Sequence, residues 1–187
     1  RVKVGIYKSW QANMDEGWTR WMLEQFEFDL DTLHNEQIQS GNLSQYSALI
    51  FPSQSGRGIM QGHSQGRMPE KFVGGIGEEG VKAIDTYAKS GGTIIFFDAS
   101  SDFAIEQFKL PVKNVLSGLK DTEFFIPGSL IRTDIDTSNP LAFGMMNQVA
   151  ASFDNSGAFA VESGAQGIEE VARYASDNLL MSGWAMG

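Results

Sequence analysis

Gly91-Gly92-Thr93-Ile94-Ile95-Phe96-Phe97-Asp98-Ala99-Ser100-Ser101-Asp102-Phe103 is the stretch that decides the fold. Thr93 to Phe97 is a continuous run of β-branched and aromatic residues, which predicts a buried strand. The small and polar residues after it mark a sharp turn into a helix. A strand-to-helix turn of this kind is where α/β enzymes mount a nucleophile. The helix N-terminus lowers a thiol's pKa and stabilises developing negative charge. This chain has no cysteine, and its two histidines, His34 and His63, both precede the turn. The sequence therefore carries an enzyme-like scaffold without the usual attacking atom or its base.

Working outward, residues 78–90 form the clearest helix. Glu78 and Glu79 open it, Val81, Ile84, Tyr87 and Ala88 share a face, and Gly91 suits the position just past its end. Upstream, residues 2–7 predict a first strand and 8–14 a loop. A helix then begins at Asp15 and Glu16, with Trp18, Trp21, Met22 and Phe26 at helical spacing. Residues 28–33 alternate like a strand, and 47–52 form a short apolar strand covered on both faces. Residues 52–77 hold seven glycines and are expected to be a long lid, interface arm or disordered connection. Strand and helix alternate through the first 110 residues, which predicts a parallel sheet with helices on both faces. After residue 110 the pattern becomes alternating runs and turns, at 130–136, 158–161 and 171–174. An extension of the sheet or an antiparallel layer is expected there.

Composition narrows the function classes. The chain has 187 residues, 42% hydrophobic and 20% charged, and is expected to form a single domain over 1–187. Its net charge of −9 and lack of a basic stripe argue against nucleic acid, because phosphates need a cationic surface. No apolar run approaches the roughly 20 residues of a membrane span. Zero cysteine removes disulfides, iron–sulfur clusters and thiolate zinc sites. The chain starts at Arg1 in a strand-like run, carries no signal-peptide pattern, and ends in apolar residues. This predicts a piece of a longer polypeptide.

Four blocks carry a family resemblance: Tyr7-Lys8-Ser9-Trp10-Gln11-Ala12-Asn13-Met14-Asp15-Glu16-Gly17-Trp18-Thr19-Arg20-Trp21, Val73-Gly74-Gly75-Ile76-Gly77-Glu78-Glu79-Gly80, Phe103-Ala104-Ile105-Glu106-Gln107-Phe108, and Pro127-Gly128-Ser129-Leu130. Over residues 2–184 the chain resembles the class I glutamine amidotransferase-like domain found C-terminal to the peptidase domain of some bacterial zinc carboxypeptidases of the carboxypeptidase A type. The resemblance implies an α/β fold, a three-layer flavodoxin-like parallel sheet, with extra short strands in the C-terminal third. It also implies a secreted or periplasmic parent whose zinc sits in a separate peptidase domain, and a family domain that continues past Trp184. The chain departs from true amidotransferases at the turn itself, where Asp98-Ala99-Ser100 stands in place of a cysteine motif. Their later His–Glu pair has no counterpart.

Neither His34-Asn35-Glu36-Gln37 nor His63-Ser64-Gln65-Gly66 has metal-ligand spacing, so no metal or cofactor is expected in this segment. Both histidines are read as surface residues of polar loops. Ser100 or Ser101 could attack only with an adjacent base, and helix capping by Ser100, Ser101 or Asp102 is the simpler role. No residue is assigned a catalytic part. Ligands of open parallel sheets settle beyond the strands' carboxyl ends. Three loops should meet there, bringing Trp10, Asn13, Asp15, Glu16, Ser53, Gln54, Ser55, Asp98 and Ser100. Those residues either bind a peptide or small molecule or form a network that fixes loops or a docking surface. Trp18 and Trp21 are read as core or interface anchors. The expected function is a non-catalytic accessory domain whose partner is the peptidase domain of the same polypeptide. The alternatives are a small-molecule or carbohydrate-binding module, and a hydrolase with an unconventional site at the turn.

Overall fold

Strand and helix alternate from the first described residues onward in the computed structural model, which describes residues 2–187. The order is β1 (Lys3–Tyr7), α1 (Met14–Gln25), β2 (Asp29–Leu33), α2 (Asn35–Gln39), β3 (Ala48–Phe51), α3 (Gly56–Gln61), α4 (Gly77–Lys89), β4 (Thr93–Phe96) and α5 (Ala99–Phe108). The four strands form one parallel sheet in the order β2-β1-β3-β4. Chain contacts divide the molecule into two compact units, the first ending at Leu110 and the second running from Pro111 to Gly187.

Side-chain alternation along the strands splits the core of the first unit into two clusters. Tyr7, Leu49 and Phe51 point one way and meet Ile38 of α2, Ile59 of α3, Ile84 and Tyr87 of α4, and Phe103 of α5. Val4, Ile6 and Ile50 point the other way and meet Leu23 of α1. Helices thus lie on both faces, as the alternation predicts. Aromatic rings run across the first cluster: Tyr7 to Phe51 at 5.0 Å, Phe51 to Phe96 at 5.0 Å, and Phe96 to Phe103 at 6.0 Å between centroids. Each such ring contributes large buried area and a preferred tilt.

The helix at 78–90 is present as α4, and its end shows why Gly91 is there. Gly92 N–H donates to Tyr87 O and Gly91 N–H to Ala88 O, while Gly91 adopts φ +94°. This pairing satisfies the last carbonyls and requires a left-handed residue, which glycine supplies without strain.

Two expectations need correction, and a third is narrowed. The segment 52–77 is not a long loop, because it contains α3 and a 3-10 turn at Glu70–Phe72. Its backbone is pinned: Ile76 N–H donates to Ile59 O, Gly74 N–H to His63 O, and the Asn35 amide to Gly74 O. Strand β4 is not buried on both sides. It is the edge strand of this sheet, with Ile95 and the following Phe97 37% and 40% exposed. The cluster beneath α1 takes in β1, β2 and β3 and no residue of β4. Exposure of 62% and 53% on α1 removes the core alternative for Trp18 and Trp21 and leaves the interface one.

The second unit is antiparallel. Strands β5 (Val112–Asn114), β6 (Pro127–Ile135), β7 (Gln148–Asp154), β8 (Phe159–Val161), β9 (Ala172–Tyr174) and β10 (Leu180–Ser182) follow in chain order. β6 pairs with β7, β9 and β10, and β5 pairs with β8. Ile126, Ile131 and Phe153 form its core. The long alternating run was legible as β6, and the short strands at 158–161 and 171–174 as β8 and β9.

Candidate functional site

The sharp turn after β4 has its apex at Asp98. This residue adopts φ +45° and ψ −117°, a conformation that costs a non-glycine residue of order 1–3 kcal/mol. Asp98 is exposed, at the N-terminus of α5. Its carboxylate accepts a 2.8 Å hydrogen bond from the Ser53 hydroxyl, whose oxygen in turn receives the Ala99 N–H at 3.4 Å.

Ser100 lies two residues past the apex. It is fully buried, and its Oγ lies 2.8 Å from both the Phe51 and Phe97 carbonyl oxygens. Ser101 likewise donates to Phe96 O at 3.3 Å. The capping reading of these serines is therefore corrected: their hydroxyls donate to strand carbonyls and accept no helix N–H. The Asp98 carboxylate does not cap the helix either. Asp102 has an interaction of its own within the fold.

The loops after β1, β3 and β4 do converge. Asn13 caps α1 by accepting the Asp15 and Glu16 N–H groups, and its amide donates to Ser53 O at 3.0 Å. Gln54 donates to Ser9 Oγ at 2.9 Å and reaches Gln11 Oε1 at 3.4 Å. Ser55 caps α3 through Gly58 N–H. Asn13, Ser53 and Asp98 thus form one hydrogen-bonded chain, and Gln54 forms a second with Ser9 and Gln11, two residues that sequence reasoning did not single out.

Five of the nine candidates stand apart from these bonds: Trp10, Ser55 and Ser100, and on α1 Asp15 and Glu16. Asp15 is exposed in the first turn of α1. Glu16 is buried and paired, 2.9 Å from Arg20 Nε and 3.5 Å from Lys8 Nζ. By accepting hydrogen bonds from the Arg20 guanidinium, Glu16 and then Glu24 hold it above its usual pKa. A larger hollow of about 580 Å³, lined by Gln39, Leu43, Lys82 and Tyr87 among others, shares no residue with these loops.

Trp10 is enclosed by both histidines. His34 stacks on its indole at 3.8 Å and 10°, Phe72 meets it edge-on at 4.9 Å, and His63 Nε2 lies 3.1 Å from its carbonyl oxygen. His34 Nδ1 in turn lies 2.8 Å from Lys8 O. A carbonyl only accepts, so both of these ring nitrogens carry a hydrogen. The histidines are half-buried structural residues of this cluster, not surface residues of polar loops. Their separation of 29 positions in sequence concealed the pairing. Among the described residues, no group of three or more histidine, aspartate and glutamate side chains gathers as a metal site would.

The sequence carried no local signal for Asp98 as the apex, since its ψ of −117° lies outside the left-handed helical region that aspartate favours.

No family model and no curated protein sequence matches the chain. Solved structures do. The chain is similar to PurLQS from Thermotoga maritima at 15% identity, over 94% of this chain and 76% of that one, with a TM-score of 0.63. It is similar to a GMP synthase subunit from Thermoplasma acidophilum at 12% identity, over 93% and 73%, with a TM-score of 0.53. A glutamine amidotransferase from Thermotoga maritima aligns at 12% identity over 87% of this chain and 64% of that chain, TM-score 0.51. At such identities the likeness concerns the fold. That fold is glutamine amidotransferase-like: α/β with a parallel sheet and added antiparallel strands toward the C-terminal end.

Proposed function

We propose that this chain is a non-catalytic accessory domain that docks against, or shapes access to, the peptidase domain of a zinc-carboxypeptidase-like protein. The observation that carries the first half is the elbow. Its apex is an aspartate held by Ser53, its neighbouring serine is buried with the hydroxyl engaged, and both histidines are committed to the Trp10 cluster. Acyl transfer by this fold needs a nucleophile within reach of a base, and these groups do not supply that pair.

The peptidase partner rests on the sequence resemblance, with zinc and a secreted or periplasmic setting belonging to the parent. The surface of α1 supports a docking role. Met14, Trp18, Trp21 and Met22 are all exposed on it, as is Phe26 just past its end, and Trp18 and Trp21 meet edge to face at 5.8 Å. Tryptophan is one of the residues enriched at the energetic centres of interfaces.

The test joins the purified chain with the peptidase domain of its own polypeptide. Saturable association that is weakened by at least tenfold in a Trp18→Ser/Trp21→Ser variant supports docking through α1. Absence of association between the two wild-type domains removes that half. Glutaminase or esterase turnover by the isolated chain, lost in Asp98→Ala or Ser100→Ala, overturns the non-catalytic half.

A further inference from the structure

We infer that the hollow beside α3 binds a small oxyanion, a carboxylate or a phosphate group, between Arg57 and Arg67. The hollow measures about 250 Å³, and its walls include Gln11, Ser55, Arg57, His63, Ser64 and Arg67. That is near the lower end of ligand-pocket volumes, roughly 300–1,000 Å³, and suits a small anion or the charged end of a larger molecule.

Charge is the first reason. The protein carries 23 acidic residues against 14 basic ones, yet no acid occurs between Glu36 and Glu70. Both arginines of the hollow fall in that acid-free stretch. The ion pairs among the described residues are Lys3–Asp31, Lys8–Glu16, Arg20 with Glu16 and Glu24, Lys89–Asp85 and Arg173–Glu170. Arg57 and Arg67 join none of them. Two arginines that line one polar cavity and join no ion pair supply the fork-shaped cations that recognise planar or tetrahedral oxyanions.

The second reason is that the walls are built and fixed. Ser55 Oγ accepts the Gly58 N–H, which leaves its own hydrogen free to donate. The His63 ring bonds the Trp10 carbonyl, and the His63 main-chain carbonyl accepts from Gly74 N–H. Gly58 forms part of the wall, and a Cβ there would lie 2.8 Å from Gln11 Oε1 and 2.9 Å from Gln54 Nε2, so both amides lie against it. A wall held this way loses little freedom when a ligand arrives, which is the condition for binding a small group.

This inference stands apart from docking through α1, and either can fail alone. Calorimetric titration of the whole chain with inorganic phosphate, with N-acetylglycine and with neutral N-acetylglycinamide tests it. The expected result is saturable binding of at least one anion and none of the amide. The tighter anion then identifies whether phosphate or carboxylate is the natural group. Arg57→Gln or Arg67→Gln should each weaken binding by about tenfold or more, as the loss of a charge-assisted pair of hydrogen bonds does. The double variant should abolish binding with an unchanged melting temperature, because both side chains are exposed. No saturable binding of either anion, equal binding of the amide, or wild-type affinity in the double variant would overturn it.

Discussion

Ser53 and Asp98 stand 45 residues apart in sequence, and the Ser53 hydroxyl donates to Asp98 Oδ2 across 2.8 Å. This bond ties the loop leaving β3 to the turn leaving β4. The same hydroxyl oxygen receives Ala99 N–H, so one serine holds both the apex of the elbow and the first amide of α5. One side chain thus fixes the shape of the turn from both sides.

The elbow strain gives a prediction with a sign. Asp98→Gly and Asp98→Ala both lose the Ser53 bond, but only glycine adopts φ +45° without steric cost. The glycine variant should be more stable than the alanine variant by about 1–2 kcal/mol in urea unfolding. Equal stabilities would mean that the apex is relaxed in solution.

The Lys3–Asp31–Tyr46 cluster predicts pH dependence at two ends. Lys3 Nζ lies 2.6 Å from Asp31 Oδ2, and Tyr46 OH donates to the same oxygen at 2.9 Å. Those bonds, Lys3 first and Tyr46 second, lower the Asp31 pKa, so its contribution is present above pH 3.8 and lost as the pH falls below it. Burial, then the Asp31 hydrogen bond, raises Tyr46 from 10.0 to about 12. A raised folded pKa gives stability that is fully present below pH 10.0 and lost as the pH climbs to about 12. Tyr46→Phe should flatten that alkaline limb, followed by denaturant midpoints across the window. A residual slope is expected from Tyr7 and Tyr87, whose pKa values burial also raises.

Gly62 closes the glycine-rich segment at a place where no other residue fits. It adopts φ +55° and ψ −141°, and a Cβ would overlap the Gly74 carbonyl oxygen. Gly62→Ala should cost about 3 kcal/mol or more, read as a fall in the urea midpoint, because strain and backbone overlap add. A change within about 0.5 kcal/mol, the range of ordinary surface substitutions, would show that the segment can open there.

Thr133 offers the opposite sign. It lies on β6, buried, and its hydroxyl oxygen has no hydrogen-bond partner among the described residues. Thr133→Val keeps the shape and removes a desolvated polar group, so the protein should gain roughly 1 kcal/mol in thermal or urea unfolding. A loss of stability would reveal a partner for that hydroxyl in solution.

Local pattern by itself determined the parallel sheet, α4 with Gly91 behind it, the turn after β4, the long strand β6 and the absence of a thiol. Each of these depends on residues a few positions apart, where apolar period, capping chemistry and composition act directly. Only the tertiary structure decided that Asp98 and not Ser100 is the apex, since the choice depends on a single φ and on which hydroxyl the β3 carbonyl captures. It also folded 52–77 into α3 and a pinned backbone, because the groups that hold it come from Asn35, Ile59 and His63. His34 and His63 read as unrelated loop residues until chain closure set one ring against the Trp10 indole and the other against its carbonyl. Contacts between distant residues carry no local period, so a single sequence does not announce them.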